Sequence, residues 1–212
     1  MISINDDLVI SVPIKESHEA FVSLLDMPRL YLPSQINTKT DLDDSEIPRV
    51  RLTIKEKLSH VLELLPMSFG LLLIEGYRSY EYQKQLYMDK VLSLKKEFPA
   101  LTSNELQKEA SKYVSNPDVF SPHVTGGAVD IAIVDGNKEV IDVGNMFEYS
   151  ENAFTLCEGL TVEQKDNREQ LISLMTKVGF VNYPFEWWHW SYGDRYWGFV
   201  TGEEAIYDSI KL

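Results

Sequence analysis

The chain has 212 residues, 44% of them hydrophobic and 25% charged, which suits one domain with a proper core. Its formal charge of −13 at pH 7 argues against nucleic acid as a partner, because a phosphate backbone would be repelled. The one cysteine, Cys157, rules out an internal disulfide framework and a multi-cysteine metal site, and no stretch has the length and apolarity of a membrane span.

At the N-terminus, Asp6 and Asp7 stand where a secretory signal would place Lys or Arg. The apolar run Leu8 to Val12 is broken by Ser11 and stopped by Pro13. The expectation is a soluble cytoplasmic protein. Residues 1–50 are punctuated by proline, with a solvated acidic loop at Asp41, Asp43, Asp44 and Glu46 and a short ordered segment at Arg29–Pro33. From Thr53 the apolar residues Ile54, Leu58, Val61, Leu62 and Leu65 recur at three and four, predicting a helix that Pro66 ends.

Phe69 to Ile74, entered through Gly70 and left through Gly76, reads as a buried strand. Ser79 then caps a long helix to about Phe98, and Ser103 or Asn104 caps another to about Tyr113. Residues 115–122 read as loop. Gly127 to Val134 reads as a strand closed by the turn Asp135-Gly136-Asn137, with Val140 to Val143 as its partner. After an irregular stretch, Thr161 opens a helix whose stripe is Leu171, Ile172, Leu174, Met175 and Val178, ended by Gly179. The aromatic run Phe185 to Trp190 reads as a strand. Helices and short strands alternate without the period of a doubly wound sheet, so the class is α+β. There are no internal repeats or linkers, and residues 1–212 are expected to form a single domain, with 1–27 an N-terminal extension of it.

Two segments concentrate the chemistry. His123 and Asp130 stand seven apart around Gly126-Gly127; a turn at the glycines leading into a strand lets both face one point. Taken alone, the pair fits a surface histidine and a capping aspartate equally well. Glu186 and His189 lie in a run of aromatics. Residues three apart on a flat strand face opposite sides, so gathering both at one metal requires a bend or a strand end. Two imidazoles and a carboxylate can hold a metal with one position left for water, and a further carboxylate can serve as general base. The plainer alternative is four core aromatics with Glu186 as a rim charge. Arg78, at a strand-to-helix junction, offers a rigid fork of donors to a developing oxyanion, or simply pairs with Glu75 or Glu81. His18 and His60 read as surface residues.

The motifs Gly76-Tyr77-Arg78-Ser79, Ser121-Pro122-His123-Val124-Thr125-Gly126-Gly127-Ala128-Val129-Asp130 and Glu186-Trp187-Trp188-His189 resemble those of the D-alanyl-D-alanine dipeptidases, the family of vancomycin-resistance zinc dipeptidases. The likeness extends more distantly to zinc D,D-carboxypeptidases and to the Hedgehog-type fold, and covers roughly residues 28–200. It implies a small central, mostly antiparallel sheet with flanking helices and one zinc ion per chain. It also implies cleavage of free D-Ala-D-Ala into two D-alanines. Position by position, it implies His123, Asp130 and His189 as zinc ligands, Glu186 as general base and acid, and Arg78 as stabiliser of the tetrahedral intermediate. Ser121, Glu148 and Tyr31 are implied as substrate contacts. Glu148 stands where the family usually has the shorter Asp, which bears on the depth of the pocket for the substrate ammonium.

Three rivals remain open on sequence. One is a zinc D,D-carboxypeptidase or endopeptidase acting on peptidoglycan stem peptides. Another is a non-haem iron oxygenase, whose facial triad uses the same ligand types. The third is a non-enzymatic zinc-fold binding module, which would have no need of Glu186.

Overall fold

The computed structural model describes residues 1–37, 42–44, 47–145, 147 and 150–211. In chain order they form α1 (Asp7–Ile10), β1 (Phe21–Ser23), β2 (Leu30–Tyr31), β3 (Arg49–Arg51), α2 (Leu52–Leu64) and β4 (Gly70–Glu75). Next come α3 (Tyr80–Glu97), α4 (Ser103–Ala110), α5 (Pro122–Thr125) and β5 (Ala128–Val134). The chain closes with α6 (Val162–Lys177), β6 (Val181–Asn182), β7 (His189–Ser191) and α7 (Arg195–Thr201).

Five strands make the main sheet in the order β2-β4-β5-β7-β6, all neighbours antiparallel except β2 with β4; β1 and β3 pair separately. The α+β expectation, a mostly antiparallel sheet with flanking helices, holds. The continuous apolar run of β5 is explained by its place between β4 and β7, where every residue from Ala128 to Val134 is buried. The α2 stripe buries Ile54, Leu58, Val61 and Leu62 in the main core, each contributing about 1.5–3 kcal/mol. The α6 helix adds Leu171 and Met175 and packs against α2. A second small core, Tyr87, Leu94, Leu106 and Ala110, joins α3 to α4.

Several predicted boundaries move, each for a local reason. Thr102, rather than Ser103 or Asn104, caps α4, through a reciprocal box with Glu105; the helix ends at Ala110, short of Tyr113. Val140 bridges Val134 and the Ile141 N–H donates to the Ile133 carbonyl at 3.1 Å, beyond the end of β7 on that side of β5, but no strand runs on to Val143. Residues 122–125, placed at the loop end and in the turn before the strand, form the single turn α5, with Pro122 at its first position. The aromatic run is a strand only from His189 onward; turns at 184–185 and 187–188 precede it. Ser79 and Thr161 cap α3 and α6 as expected. Asp43 and Asp44 are exposed, as is Leu8, while Asp41 and Glu46 lie outside the described residues. Among the described residues no helix is long and apolar enough to cross a membrane.

Candidate metal centre

Strand register sets two of the candidate ligands face to face. In the β5–β7 pair Asp130 is opposite His189, so both side chains leave the same side of the sheet. His123 reaches them from α5. That turn ends at Gly126 in the left-handed region (φ 71°), and the chain then passes through Gly127, where a Cβ would lie 2.6 Å from the Tyr192 carbonyl oxygen. The glycine pair thus supplies both the reversal and the close approach that bring a helical residue back over the strand that follows it.

The donor atoms form a tight triangle. His189 Nδ1 lies 2.9 Å from Asp130 Oδ1 and 3.1 Å from His123 Nε2, and His123 Nε2 lies 3.3 Å from Asp130 Oδ1. All three residues are buried. Tetrahedral ligands about 2.0–2.1 Å from a zinc ion would be separated by about 3.3–3.4 Å, so this triangle needs only slight expansion to take one. The outer nitrogen of His123 is already committed: Nδ1 donates to the Gly76 carbonyl at 2.8 Å, which turns the Nε2 lone pair toward the triangle. Two imidazole nitrogens and one carboxylate oxygen, with one side open to a cleft, fit a hydrolytic metal site.

Glu186 shares that cleft with the three candidate ligand residues, Arg78 and Ser121. The anticipated bend is present. The Glu186 N–H donates to the Tyr183 carbonyl at 2.9 Å and the His189 N–H to the Glu186 carbonyl at 3.1 Å, so the chain makes successive turns before β7 starts. The Asn182 side-chain amide donates to the carbonyls of Glu186, Trp187 and His189 and stitches this loop together. Burial pushes the Glu186 carboxyl above its ordinary value, as suits a group that must take up a proton near neutrality.

Arg78 is paired with Glu75, as the plainer reading had it, and still lines the cleft. Its Nε donates to Glu75 Oε1 at 2.7 Å, Nη2 donates to Glu75 Oε2, and Nη1 donates to Gln83 Oε1 at 2.7 Å. Of the five N–H groups of a guanidinium, three are therefore engaged in fixing its plane. Ser121 is buried at the start of α5 and makes no capping bond to it.

Tyr31 is not brought to the cleft. It sits on β2 against Gly70, under the ammonium of Lys138 at 4.9 Å from the ring centre. Glu148 lies outside the described residues. His18 and His60 are exposed, as expected. Sequence reasoning missed Tyr183, whose ring stands edge-on to His189 at 5.8 Å and lines the cleft, and Asn182 behind it. The position of both, between a helix-ending glycine and the Glu-Trp-Trp-His motif, was the available signal. The cleft encloses about 460 Å³ and continues past the metal centre along α3, by Leu86, Asp89, Lys90 and Ser93.

Comparison with known proteins places these features in a family. The sequence model of a family described as D-ala-D-ala dipeptidase matches residues 49–207. A D-alanyl-D-alanine dipeptidase of Enterococcus faecium is 27% identical over 168 residues, covering 74% of this chain and 81% of that protein. One from Synechocystis sp. is 32% identical over 95 residues, a segment covering 39% of this chain and 38% of the relative. Among solved structures, VanYB in complex with D-alanine-D-alanine is 20% identical, with a TM-score of 0.45, over 82% of this chain and 88% of that one.

Proposed function

The chain belongs to the D-Ala-D-Ala dipeptidase family and is a metallopeptidase, and on that premise we propose that it hydrolyses free D-Ala-D-Ala to two D-alanines at a one-zinc centre. His123, Asp130 and His189 hold the ion. The observation that carries this reading is the convergence of their three donor atoms in the same cleft as Glu186 and Arg78.

Zinc, when bound, supplies a Lewis acid and lowers the pKa of a water from its bulk value toward about 7. The chain's own residues do the rest. A Glu186 carboxylate oxygen accepts a proton from the attacking water and afterwards delivers it to the departing amine nitrogen. Arg78, its plane fixed by Glu75 and Gln83, offers its remaining N–H groups to the oxygen on which negative charge develops. Ser121 and Glu148 are proposed to hold the dipeptide, Glu148 through its ammonium.

A second reading is cleavage of peptidoglycan stem peptides, favoured by the continuation of the cleft along α3 to Ser93. The deciding experiment incubates zinc-loaded protein with D-Ala-D-Ala, L-Ala-L-Ala, N-acetyl-D-Ala-D-Ala and a stem pentapeptide. Hydrolysis confined to the free D,D-dipeptide is expected. Cleavage of the blocked dipeptide or the pentapeptide moves the activity to a carboxypeptidase, and cleavage of neither set overturns the reading. Metal analysis, with zinc bound and no oxygen consumed, separates it from an iron oxygenase.

A further inference from the structure

Two walls bound the cleft beyond the metal centre, and the N-terminal segment runs from one to the other. Ile4 lines the cleft with Tyr183 and Glu186. Half-buried, it packs against a small core of Val9, Phe120, Tyr183 and Tyr196, and the Tyr183 ring stands edge-on to His189. The next residue reaches the opposite wall, where the Asn5 side-chain amide donates to the Ser111 carbonyl at the end of α4. Two residues beyond Ser111, Tyr113 lines the cleft beneath the Lys90 ammonium of α3, which lies 3.7 Å from the ring centre. Ile4 and Asn5 thus connect the core beside His189 to the α3–α4 pair at the level of Lys90. Both residues precede the stretch 49–207 that matches the family.

The crossing is braced at its base. The Asp6 N–H donates to the Ser3 carbonyl at 3.0 Å, Asp6 Oδ1 caps α1 by accepting the Leu8 N–H at 2.9 Å, and α1 packs against α7. A β-branched side chain is stiff at χ1, so an isoleucine on a backbone held from both sides has few ways to step aside.

We infer that Ile4, held across the cleft by Asn5, is a specificity-determining residue that keeps peptides extended on the amino side of D-Ala-D-Ala from seating at the metal centre. The inference rests on the dipeptidase reading above. At about 460 Å³ the cleft is near the small end of the range for small-molecule sites, roughly 300–1,000 Å³, so the width of one side chain decides what enters. α3 leads away from Arg78, and its cleft-lining residues Leu86, Lys90 and Ser93 lie progressively farther along it. Each further residue lengthens an extended peptide by about 3.3–3.6 Å. A free dipeptide ends beside the metal centre, whereas a longer peptide has to continue along α3 and pass Ile4. The isoleucine offers that peptide no hydrogen bond, so amide groups pressed against it would lose water without gaining a partner.

The test compares kcat/KM of the zinc-loaded protein for D-Ala-D-Ala and for the tripeptide L-Ala-D-Ala-D-Ala. Parental protein is expected to favour the dipeptide. Ile4→Ala is expected to raise the tripeptide-to-dipeptide ratio roughly tenfold or more. Asn5→Ala, which frees the crossing from α4, should raise it by a smaller factor, and Ile4→Leu, which keeps the bulk, should retain the parental ratio. A merely structural role would lower both activities alike and leave the ratio unmoved. Parental protein that cleaves neither peptide overturns the dipeptidase reading and this inference with it. Parental protein that cleaves both equally well, or a parental preference that Ile4→Ala leaves unchanged, overturns the inference alone. Should Ile4→Ala fail to fold, Asn5→Ala carries the test, and a parental ratio in that variant overturns the inference.

Discussion

Glu75 stands opposite Asp130 across the β4–β5 pair only because the register shifts between Leu73 and Glu75, leaving Ile74 without a partner. Residues paired across an antiparallel ladder share a face, so this irregularity turns Glu75 toward the side on which Asp130 meets the histidines. There it grips Arg78 with both oxygens. Glu75→Gln keeps the size and loses the charge-assisted clamp. The expected result is a fall in kcat of roughly tenfold with KM little changed, because a loosened donor matters most where charge develops. Arg78→Lys should cost more, roughly 10²–10³ in kcat, since a point charge cannot hold the same plane. Steady-state kinetics of both variants decide it, and a raised KM with kcat unchanged would assign Arg78 to ground-state binding instead.

Glu186→Gln tests the base. The amide fits the same space and cannot take up a proton, so hydrolysis should drop by at least roughly 10²–10⁴, while zinc remains bound because the ligand triangle excludes Glu186. A variant that hydrolyses at near the parental rate refutes the assignment. One that loses zinc makes Glu186 part of the ligand set.

Proton release should accompany metal binding. Burial opposes a charged His123, but the carboxylates of Asp130 and Glu75 outweigh it and raise the imidazole from 6.5 to about 9 in the metal-free protein. His123 in turn holds Asp130 below the ordinary carboxylate range against the effect of burial. The histidine's contribution to metal-free stability is therefore complete below about pH 6.5 and is lost as pH rises through about 9. The aspartate's contribution is present above the usual carboxylate value of about 4 and fades as the solution is acidified below it. A zinc ion held by His123, as proposed, would have to displace that proton. Apparent affinity should rise about tenfold per pH unit up to about 9 and then level off. Calorimetric titration at pH 7 in buffers of different ionisation enthalpy should report about one proton released per ion. Binding with no proton release would contradict this account.

The glycine pair between His123 and Asp130 offers a structural test. Gly127→Ala places a methyl group 2.6 Å from the Tyr192 carbonyl and 2.8 Å from the Tyr207 ring, neither of which can yield freely. A loss of about 1–3 kcal/mol is expected from chemical denaturation. Gly126→Ala meets looser contacts, with side chains of Phe21 and Ile210, but at φ 71° it should still cost about 1–2 kcal/mol. Both variants should also bind zinc more weakly than the parental protein, since α5 carries a ligand at its second residue.

What could be read from the sequence divides along physical lines. Ile54, Leu58, Val61 and Leu62 state a helix by their spacing alone, and Ser79 and Thr161 state where two helices begin. The types and order of the candidate ligands His123, Asp130 and His189 are equally local. The pairing of Arg78 with Glu75 is local as well, but its facing the cleft is not, because that depends on a register shift that no residue in Leu73-Ile74-Glu75 announces. The strand expected over Phe185–Trp190 failed because aromatic content favours strands, whereas Asn182 draws the carbonyls of Glu186, Trp187 and His189 into a turn from outside the run. Tyr31, implied as a substrate contact only by the family resemblance, lies away from the cleft, whereas Tyr183 lines it beside His189.

Arg168 shows how a side chain far from the reaction can still shape it. Its guanidinium is buried and donates to four backbone carbonyls, those of Val143, Asn152, Phe154 and Thr155, with Trp187 beneath it at 5.6 Å. No carboxylate is recorded in contact with it among the described residues, so its task is to satisfy a coiled segment that has no ladder of its own. This segment holds Phe147 against Trp187 and Trp188, just behind Glu186 and His189. Arg168→Met keeps most of the volume and strands those carbonyls, each costing about 1–3 kcal/mol where water cannot replace the donor. Partial hydration of the loop should reduce the total, giving about 3 kcal/mol in urea denaturation. The kcat should fall, because the turn that carries Glu186, held by the Trp187 N–H donating to the Ala153 carbonyl at 2.9 Å, loosens while the candidate ligands stay on β5, β7 and α5. Parental stability in Arg168→Met would mean that the segment keeps its shape without the guanidinium.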